Sequence, residues 1–404
     1  MKMKEQKNKS NTLFDHFEWK PKIMDYLAEL ILSQFENRTP ESIPEGIDIE
    51  ELVRIANESQ MQYIILAALI KLDLPGEVIA RIKPYLIRST MKTLAQVQAA
   101  KELQEAFERA GIRNQVLKGS VMKFIYPRPE MREMSDVDIM IYETDFTEAE
   151  NIMQQKGFDK VQAIKHHVIF RKSPFLICEM HWSLYEQTVD REQYLYYKDQ
   201  FRAILKEGCK YTYEFSKEDF YVYMISHMAK HFYENGCGIR NLVDIYVYLD
   251  KCQDEMNREI IDKELKKCGL SDFEYHVVRL ANIWLKKEQS TEFYNQLFHY
   301  MLNCGIYGKC ENGVWAQVAK QNRNRQESIG NKKYKYYFPA LEYMKEYYPW
   351  LEKNSWLLPV AWVCRGIHGI SNKESLERTK VLGDDKRYQI MTAIYNELNL
   401  DFAK

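Results

Sequence analysis

No apolar run in this chain is long enough to span a bilayer; stretches such as Tyr63–Ile70 fall well short of the ~20 residues a membrane helix needs. The first residues, MKMKEQKNKSN, are basic and polar and lack the apolar segment of a signal peptide. A soluble, cytoplasmic protein with no membrane partner is therefore expected. Excess charge is also missing. Lys+Arg 57 against Asp+Glu 58 gives a formal net charge of −1. Such a balance exerts no general attraction on nucleic acid or an anionic membrane, so RNA is a disfavoured partner. Zinc-type cysteine spacing is absent as well. The eight cysteines (Cys178, Cys209, Cys237, Cys252, Cys268, Cys304, Cys310 and Cys364) form no Cys-x-x-Cys. They read as reduced, mostly buried thiols.

What is present is bulk and pattern. A chain of 404 residues with 46% hydrophobic content exceeds what one core usually fills, so two or three domains are expected. Residues 1–12 read as a disordered tail. Residues 13–88 read as helical, with Ile23, Tyr26, Leu27, Leu30 and Ile31 at helical spacing and Pro40, Pro44, Pro75 and Gly76 as punctuation. Residues 89–205 read as a mixed α/β core. It opens with a long helix before Gly111 whose core positions would be Leu94, Val97, Leu103 and Phe107. Strands are expected at Asn114–Lys118, around Val161, at His166–Arg171 and at Phe175–Trp182. Asp145-Phe146-Thr147-Glu148 reads as a capping box, with Gly157 ending that helix. From 206 to 404 the chain reads as helical. The 28 tyrosines read mostly as half-buried packing on helix surfaces.

The chemistry concentrates in QVLKGSVMKFIYPRPEMREMSDVDIMI, Gln115–Ile141. Asp136 and Asp138 flank Val137 in an apolar run. On a strand both carboxylates share one face, roughly 6–7 Å apart. They repel unless a cation lies between them, and oxygen ligands suit Mg²⁺. Gly119-Ser120 follows a β-type run, and Ser120 opens a short helical segment. A helix start with free N–H groups is an anion site, and Lys118 stands beside it. A phosphate-binding turn next to a carboxylate pair suits a metal–nucleoside triphosphate.

These residues resemble the DNA polymerase β-like nucleotidyltransferase superfamily. More narrowly, they resemble the bacterial "uncharacterised nucleotidyltransferase" family through Lys118-Gly119, Tyr126-Pro127, Arg132 and Asp136-Val137-Asp138. The family's Glu–hydrophobic–His–Trp string is matched by Glu179-Met180-His181-Trp182. The resemblance implies an α+β fold: a small mixed sheet of the polymerase β palm type, flanked by N- and C-terminal helical domains. It implies Glu179 as a third acid and two Mg²⁺ ions held by Asp136, Asp138 and Glu179. ATP or another nucleoside triphosphate would then give up its nucleoside monophosphate, AMP in the case of ATP. The acceptor would be a hydroxyl of an unidentified small molecule, peptide or protein. Gly119 and Ser120 would hold the β- and γ-phosphates, and Lys118 and Arg132 would face the departing pyrophosphate. Glu179 is either a metal ligand alone or also the general base.

The bland alternatives are concrete. Lys118 could be a solvated strand end, and Arg132 could pair with Glu130 or Glu133. His181 could be a packed, hydrogen-bonded residue. His166 and His167, adjacent on a strand, should face opposite ways and not form a metal pair. Farther on, His227 and His231 share a helix face with Lys230 between them, and Arg240 and Asp244 follow. The family has a similar His-x-x-Lys-His block, so these residues are candidate nucleotide or acceptor contacts. The alternative is a polar network holding two domains in register. A zinc pair at His227 and His231 lacks a third ligand. Lys320–Lys335 reads as a mobile basic loop. Trp350, Trp356 and Trp362 should cement the C-terminal helices, near Arg365. The remaining alternatives for the whole are a non-catalytic nucleotide-binding scaffold on the same fold, and a tRNA-modifying toxin-type enzyme.

Overall fold

The structure is a computed structural model. It describes residues 21–164, 166–186, 191–198, 202–306, 336–371 and 385–400, with single positions at 308, 312 and 334. The expected tail at 1–12, Cys310 and nearly all of the basic segment 320–335 lie outside the described residues. The chain divides into two compact units, one over Lys22–Lys309 with Leu398–Lys404, the other over Cys310–Glu397 with Met1–Pro21.

The larger unit opens with four helices: α1 (Pro21–Phe35), α2 (Ile49–Glu58), α3 (Gln62–Leu69) and α4 (Gly76–Ala110). Asp48 caps α2 by accepting from the Glu50 amide at 3.0 Å. The 35-residue helix α4 starts just after Pro75 and runs without a break through 88/89. It ends at Gly111, whose φ of +75° is a left-handed conformation open to glycine at little cost. Leu103 and Phe107 are buried as expected, but Leu94 is 62% exposed. The reason is that the middle of α4 buries a polar stripe instead, Ser89, Thr93 and Gln96. Ser89 Oγ donates to Glu133, Gln96 Nε2 to the Met134 carbonyl, and Thr93 Oγ1 accepts from Lys123. Leu94 lies outside that stripe.

A seven-stranded mixed sheet follows, in the order β3-β4-β5-β2-β1-β7-β6. Its elements are β1 (Asn114–Val116), α5 (Lys118–Ile125), β2 (Val137–Ile141), α6 (Phe146–Gln155), β3 (Asp159–Ile164), β4 (His167–Lys172), β5 (Leu176–His181), α7 (Arg191–Tyr197), β6 (Ala203–Leu205) and β7 (Thr212–Phe215). Strands β2 and β5 are parallel, as are β1 and β7; the other pairs are antiparallel. The first strand is shorter than expected, because Lys118 already belongs to a helix. The sheet also continues past Leu205, through β7 beside β1.

Alternation along β2 sorts the two faces. Val137, Ile139 and Ile141 join one buried cluster with Leu103 and Phe107 of α4, Ala149 and Met153 of α6, and Cys178 and Met180 of β5. Met140, on the other face, packs with Leu117, Tyr185, Tyr197 and Tyr223. The expected capping box is not made. Asp145 offers no side-chain cap to α6 and pairs with Arg113 Nε at 3.2 Å.

Helices α8 (Lys217–Glu234), α9 (Arg240–Cys252), α10 (Arg258–Lys267), α11 (Ser271–Leu285) and α12 (Glu292–Cys304) complete this unit. Several tyrosines are more deeply buried than surface packing implies. Tyr221 is fully buried, its hydroxyl donating to Glu274 at 2.6 Å. In the smaller unit, Trp362 Nε1 donates to the Pro339 carbonyl at 2.9 Å. Trp350 and Trp356 do not share that role, being 38% and 76% exposed. Arg365 donates to the Tyr336 carbonyl at 2.8 Å. Among the described residues, no helix is long and apolar enough to cross a membrane.

Candidate active site

Parallel pairing sets Asp138 of β2 directly beside Glu179 of β5. Asp136 sits in the bend just before β2. Burial first, and then the charges of Asp138 and Glu179, push the Asp136 carboxyl up to about 7. Burial and Asp138 also raise Glu179. Asp136, Asp138 and Glu179 together form an oxygen-rich set suited to a hard divalent cation. Asp138, Glu179 and His181 each bring one donor atom within 4.8 Å of the others. His181 Nε2 lies 3.1 Å from Asp138 Oδ1 and 3.6 Å from Glu179 Oε2. His181 is thus hydrogen-bonded, and it also belongs to the acidic cluster.

The start of α5 is tied to the same place. The Leu117 N–H donates to the Asp138 carbonyl at 3.0 Å, one residue before α5 begins. Leu117 gives α5 no side-chain cap, and the first helical bond runs from Val121 to Leu117 at 3.4 Å. The amides of Lys118, Gly119 and Ser120 precede that bond, so helix geometry leaves them unused. Ser120 Oγ is buried and has no partner among the described residues. Gly119 makes no left-handed turn. A Cβ there would stand 3.1 Å from Met134 Sδ, so the glycine serves close packing.

Lys118 is neither solvated nor at a strand end. Its side chain is 7% exposed, with Nζ 2.9 Å from Asn241 Oδ1 and 3.8 Å from Asp244 Oδ2. Burial pulls its ammonium down to about 8 against the attraction of Asp244. Arg132 bonds neither the Glu130 nor the Glu133 carboxylate. It grips Asp244 with two bonds, Nε to Oδ1 at 3.0 Å and Nη2 to Oδ2 at 2.9 Å. Tyr126 also donates to Asp244 Oδ1, at 2.9 Å. Asp244 is wholly buried; burial alone would raise its carboxyl, but Arg132 and Lys118 hold it down to about 2. Asp244 therefore faces the protein's own cations.

Arg240 opens α9 and reaches the loop that carries Asp136. Its Nη1 donates to Gln60 Oε1 at 2.5 Å and to the Glu133 carbonyl at 3.1 Å. Gln60 Nε2 in turn donates to Ser135 Oγ at 2.6 Å. Arg240 Nε is buried without a partner among the described residues, and burial and Arg132 pull the guanidinium down to about 10. Its charge acts on Asp136. Lys92 of α4, lowered by burial, feels Glu133 and Asp136. Sequence reading missed Lys92 and Gln60. Neither belongs to a spacing pattern, and both meet the acids only through tertiary packing.

Histidines crowd the other flank. His166 precedes β4 in a turn and does not alternate with His167; the two rings lie 4.8 Å apart. His167 Nε2 is 3.5 Å from Glu179 Oε2. Burial lowers both His166 and His167 to about 4, so they are neutral near pH 7. On α8, the rings of His227 and His231 meet edge-on at 4.6 Å. His227 Nδ1 is buried and unpartnered among the described residues. His231 remains half exposed, yet its surroundings, burial first and Lys230 next, lower it to about 4. Lys118 acts on both, His181 on His227 and Asp138 on His231, so this face borders the acids. No described third donor completes a metal set with the α8 pair.

A separate cavity of about 410 Å³, lined among others by Tyr246, Asp250, Arg258 and Glu274, shares no lining residue with these groups. No curated protein and no solved structure matches the chain. Residues 45–286 match the family described as "uncharacterised nucleotidyltransferase", a span that contains every site residue named above. With more than half its length matched, the chain belongs to that family and is a transferase of the nucleotide-transferring kind.

Proposed function

We propose that the protein moves a nucleoside monophosphate, AMP from ATP, onto a hydroxyl of a small molecule, peptide or protein. The sheet would be a palm of the polymerase β type, bordered by the N-terminal and C-terminal helices. Asp136, Asp138 and Glu179 would hold two Mg²⁺ ions, and the raised Asp136 and Glu179 carboxyls fit a site built around missing positive charge. Bound there, the ions would polarise the α-phosphate and steady the attacking and leaving oxygens.

The chain's own groups do the rest. The amides at 118–120 and Ser120 Oγ receive the terminal phosphates. Arg240, with its unused Nε, and Lys92 supply the facing positive charge. Lys118 and Arg132, both committed to Asp244, tie α5 and the segment before β2 to α9 and do not serve as free cations. His227 and His231 border the acceptor side as neutral rings. Glu179 Oε2 accepts the proton of the incoming hydroxyl.

The observation that carries this reading is the 3.0 Å bond from Leu117 N–H to the Asp138 carbonyl, which joins an uncapped helix start to the acids. The test is incubation with α-labelled ATP, GTP, CTP and UTP and cell lysate, reading which molecules acquire label. Asp138→Asn should abolish labelling and pyrophosphate release while the circular-dichroism spectrum stays native. Undiminished transfer by that variant would remove the assignment. One observation favours a non-catalytic scaffold instead: the Lys118–Arg132–Asp244 network is closed on itself. Under that reading calorimetry would find ATP binding, with no pyrophosphate released for any acceptor.

A further inference from the structure

We propose that His166, His167 and His181 form a second cation site, selective for a borderline divalent transition ion of the zinc class. The β4–β5 pairing places His167 directly across from His181, and the turn before β4 adds His166. One ring nitrogen from each residue lies within 4.8 Å of the others. Zinc binds imidazole nitrogen at about 2.0–2.1 Å, so tetrahedral donors stand about 3.3 Å apart, within reach of small ring rotations. The ring pairs are compact, with centroids at 4.8, 4.9 and 6.0 Å.

A second observation comes from hydrogen-bond accounting. Buried imidazole nitrogens nearly always have partners. His166 Nδ1 and His167 Nδ1 are both buried with none among the described residues, and His167 is only 9% exposed. Glu179 Oε2, 3.5 Å from His167 Nε2, can orient that ring as carboxylates do for metal-binding histidines. The donor chemistry then separates two sites. Oxygen donors at Asp136, Asp138 and Glu179 suit Mg²⁺, whereas three imidazoles suit zinc, cobalt or nickel. His181 touches both sets, so a cation on the imidazoles would stand beside Asp138 and Glu179. It would add positive charge there and pin the β3–β4 turn to β5.

The test uses the full chain, stripped with chelator and titrated with Co²⁺ in a large excess of Mg²⁺. One Co²⁺ per chain should bind, with the intense visible absorption of a four- or five-coordinate nitrogen site. His166→Ala and His167→Gln should each weaken binding at least tenfold, and Asp136→Asn should leave the spectrum unchanged. Melting curves would establish that each variant is folded, and His166, in a turn, is the milder replacement. The proposal is overturned if no Co²⁺ binds, if Mg²⁺ displaces it, or if both histidine variants bind as tightly as the parent. Binding that Mg²⁺ competes away would place the ion on the oxygen donors of Asp138 and Glu179 and likewise overturn the imidazole site. The readout is independent of nucleotide transfer, so Co²⁺ binding in a chain that transfers nothing would sink the proposed activity alone.

Discussion

Two cations and a phenol converge on the Asp244 carboxylate, which has no exposure to water. Removing one partner of a buried pair leaves the other uncompensated, at about 3–5 kcal/mol. Asp244→Ala should lose that much in urea unfolding, and a loss below about 1 kcal/mol would contradict the network. Replacing both Arg132→Met and Asp244→Leu should be milder than Asp244→Leu alone, which leaves two buried cations uncompensated. The pH dependence has a definite sign. The folded carboxyl is held at about 2, below its usual 3.8, so its stabilisation is fully present above pH 3.8. It is lost as pH falls toward 2, and Asp244→Asn should flatten that part of an acid-unfolding curve. The sequence offered Asp244 as a member of a polar network, but not its partners. Arg132 and Asp244 stand 112 residues apart, and local charge spacing offered Glu130 and Glu133 as nearer partners.

Elements differ in how plainly the sequence declares them. Strands β2 and β5 are long enough to alternate, so Glu179 could be placed on one face with His181, but its pairing with Asp138 comes only from the parallel register of the two strands. Strands β1 and β6 have three residues each and β7 four, too few to show a period, which is why Lys118 was placed on a strand and β6 and β7 were missed. The middle of α4 misled for a different reason: its buried stripe, Ser89, Thr93 and Gln96, is polar, so apolar spacing pointed to Leu94. The start of α5 can be tested directly. At Gly119→Ala the new Cβ meets the end of a flexible methionine, Met134 Sδ at 3.1 Å. Stability should fall by about 1 kcal/mol or less, while triphosphate affinity measured by calorimetry falls further as the amides shift. Equal small losses in both would mean that the helix start binds no phosphate. At the start of α9, Arg240→Ala removes a charged donor worth about 1.5–3 kcal/mol. That predicts a KM for the triphosphate raised roughly 10–100-fold. An unchanged KM with lowered stability would reduce Arg240 to its bonds with Gln60 and Glu133.

At the scale of the molecule, the family match at 45–286 lies inside the larger compact unit, and that unit holds every residue of the candidate site. The N-terminal helices are part of that site's framework, since Gln60, Ser89 and Gln96 hold the loop at 133–135 that leads to Asp136. Their motif-free sequence hid this, because single polar side chains bonded to a distant loop leave no period. Net charge bears on the acceptor. A formal charge of −1 gives no long-range pull on a polyanion, so an RNA acceptor would have to be captured by local cations alone. The buried cations described here are spent on Asp244 and on the acids, with Lys118 and Arg132 held inward. Label from α-labelled nucleotide should therefore survive ribonuclease treatment and run with protein, peptide or small molecules. In a mobility-shift experiment, tRNA should show no complex at physiological salt. A shift whose log K falls steeply with log salt, at a slope of about −0.9 per neutralised phosphate on a duplex stem, would transfer the proposal to an RNA substrate.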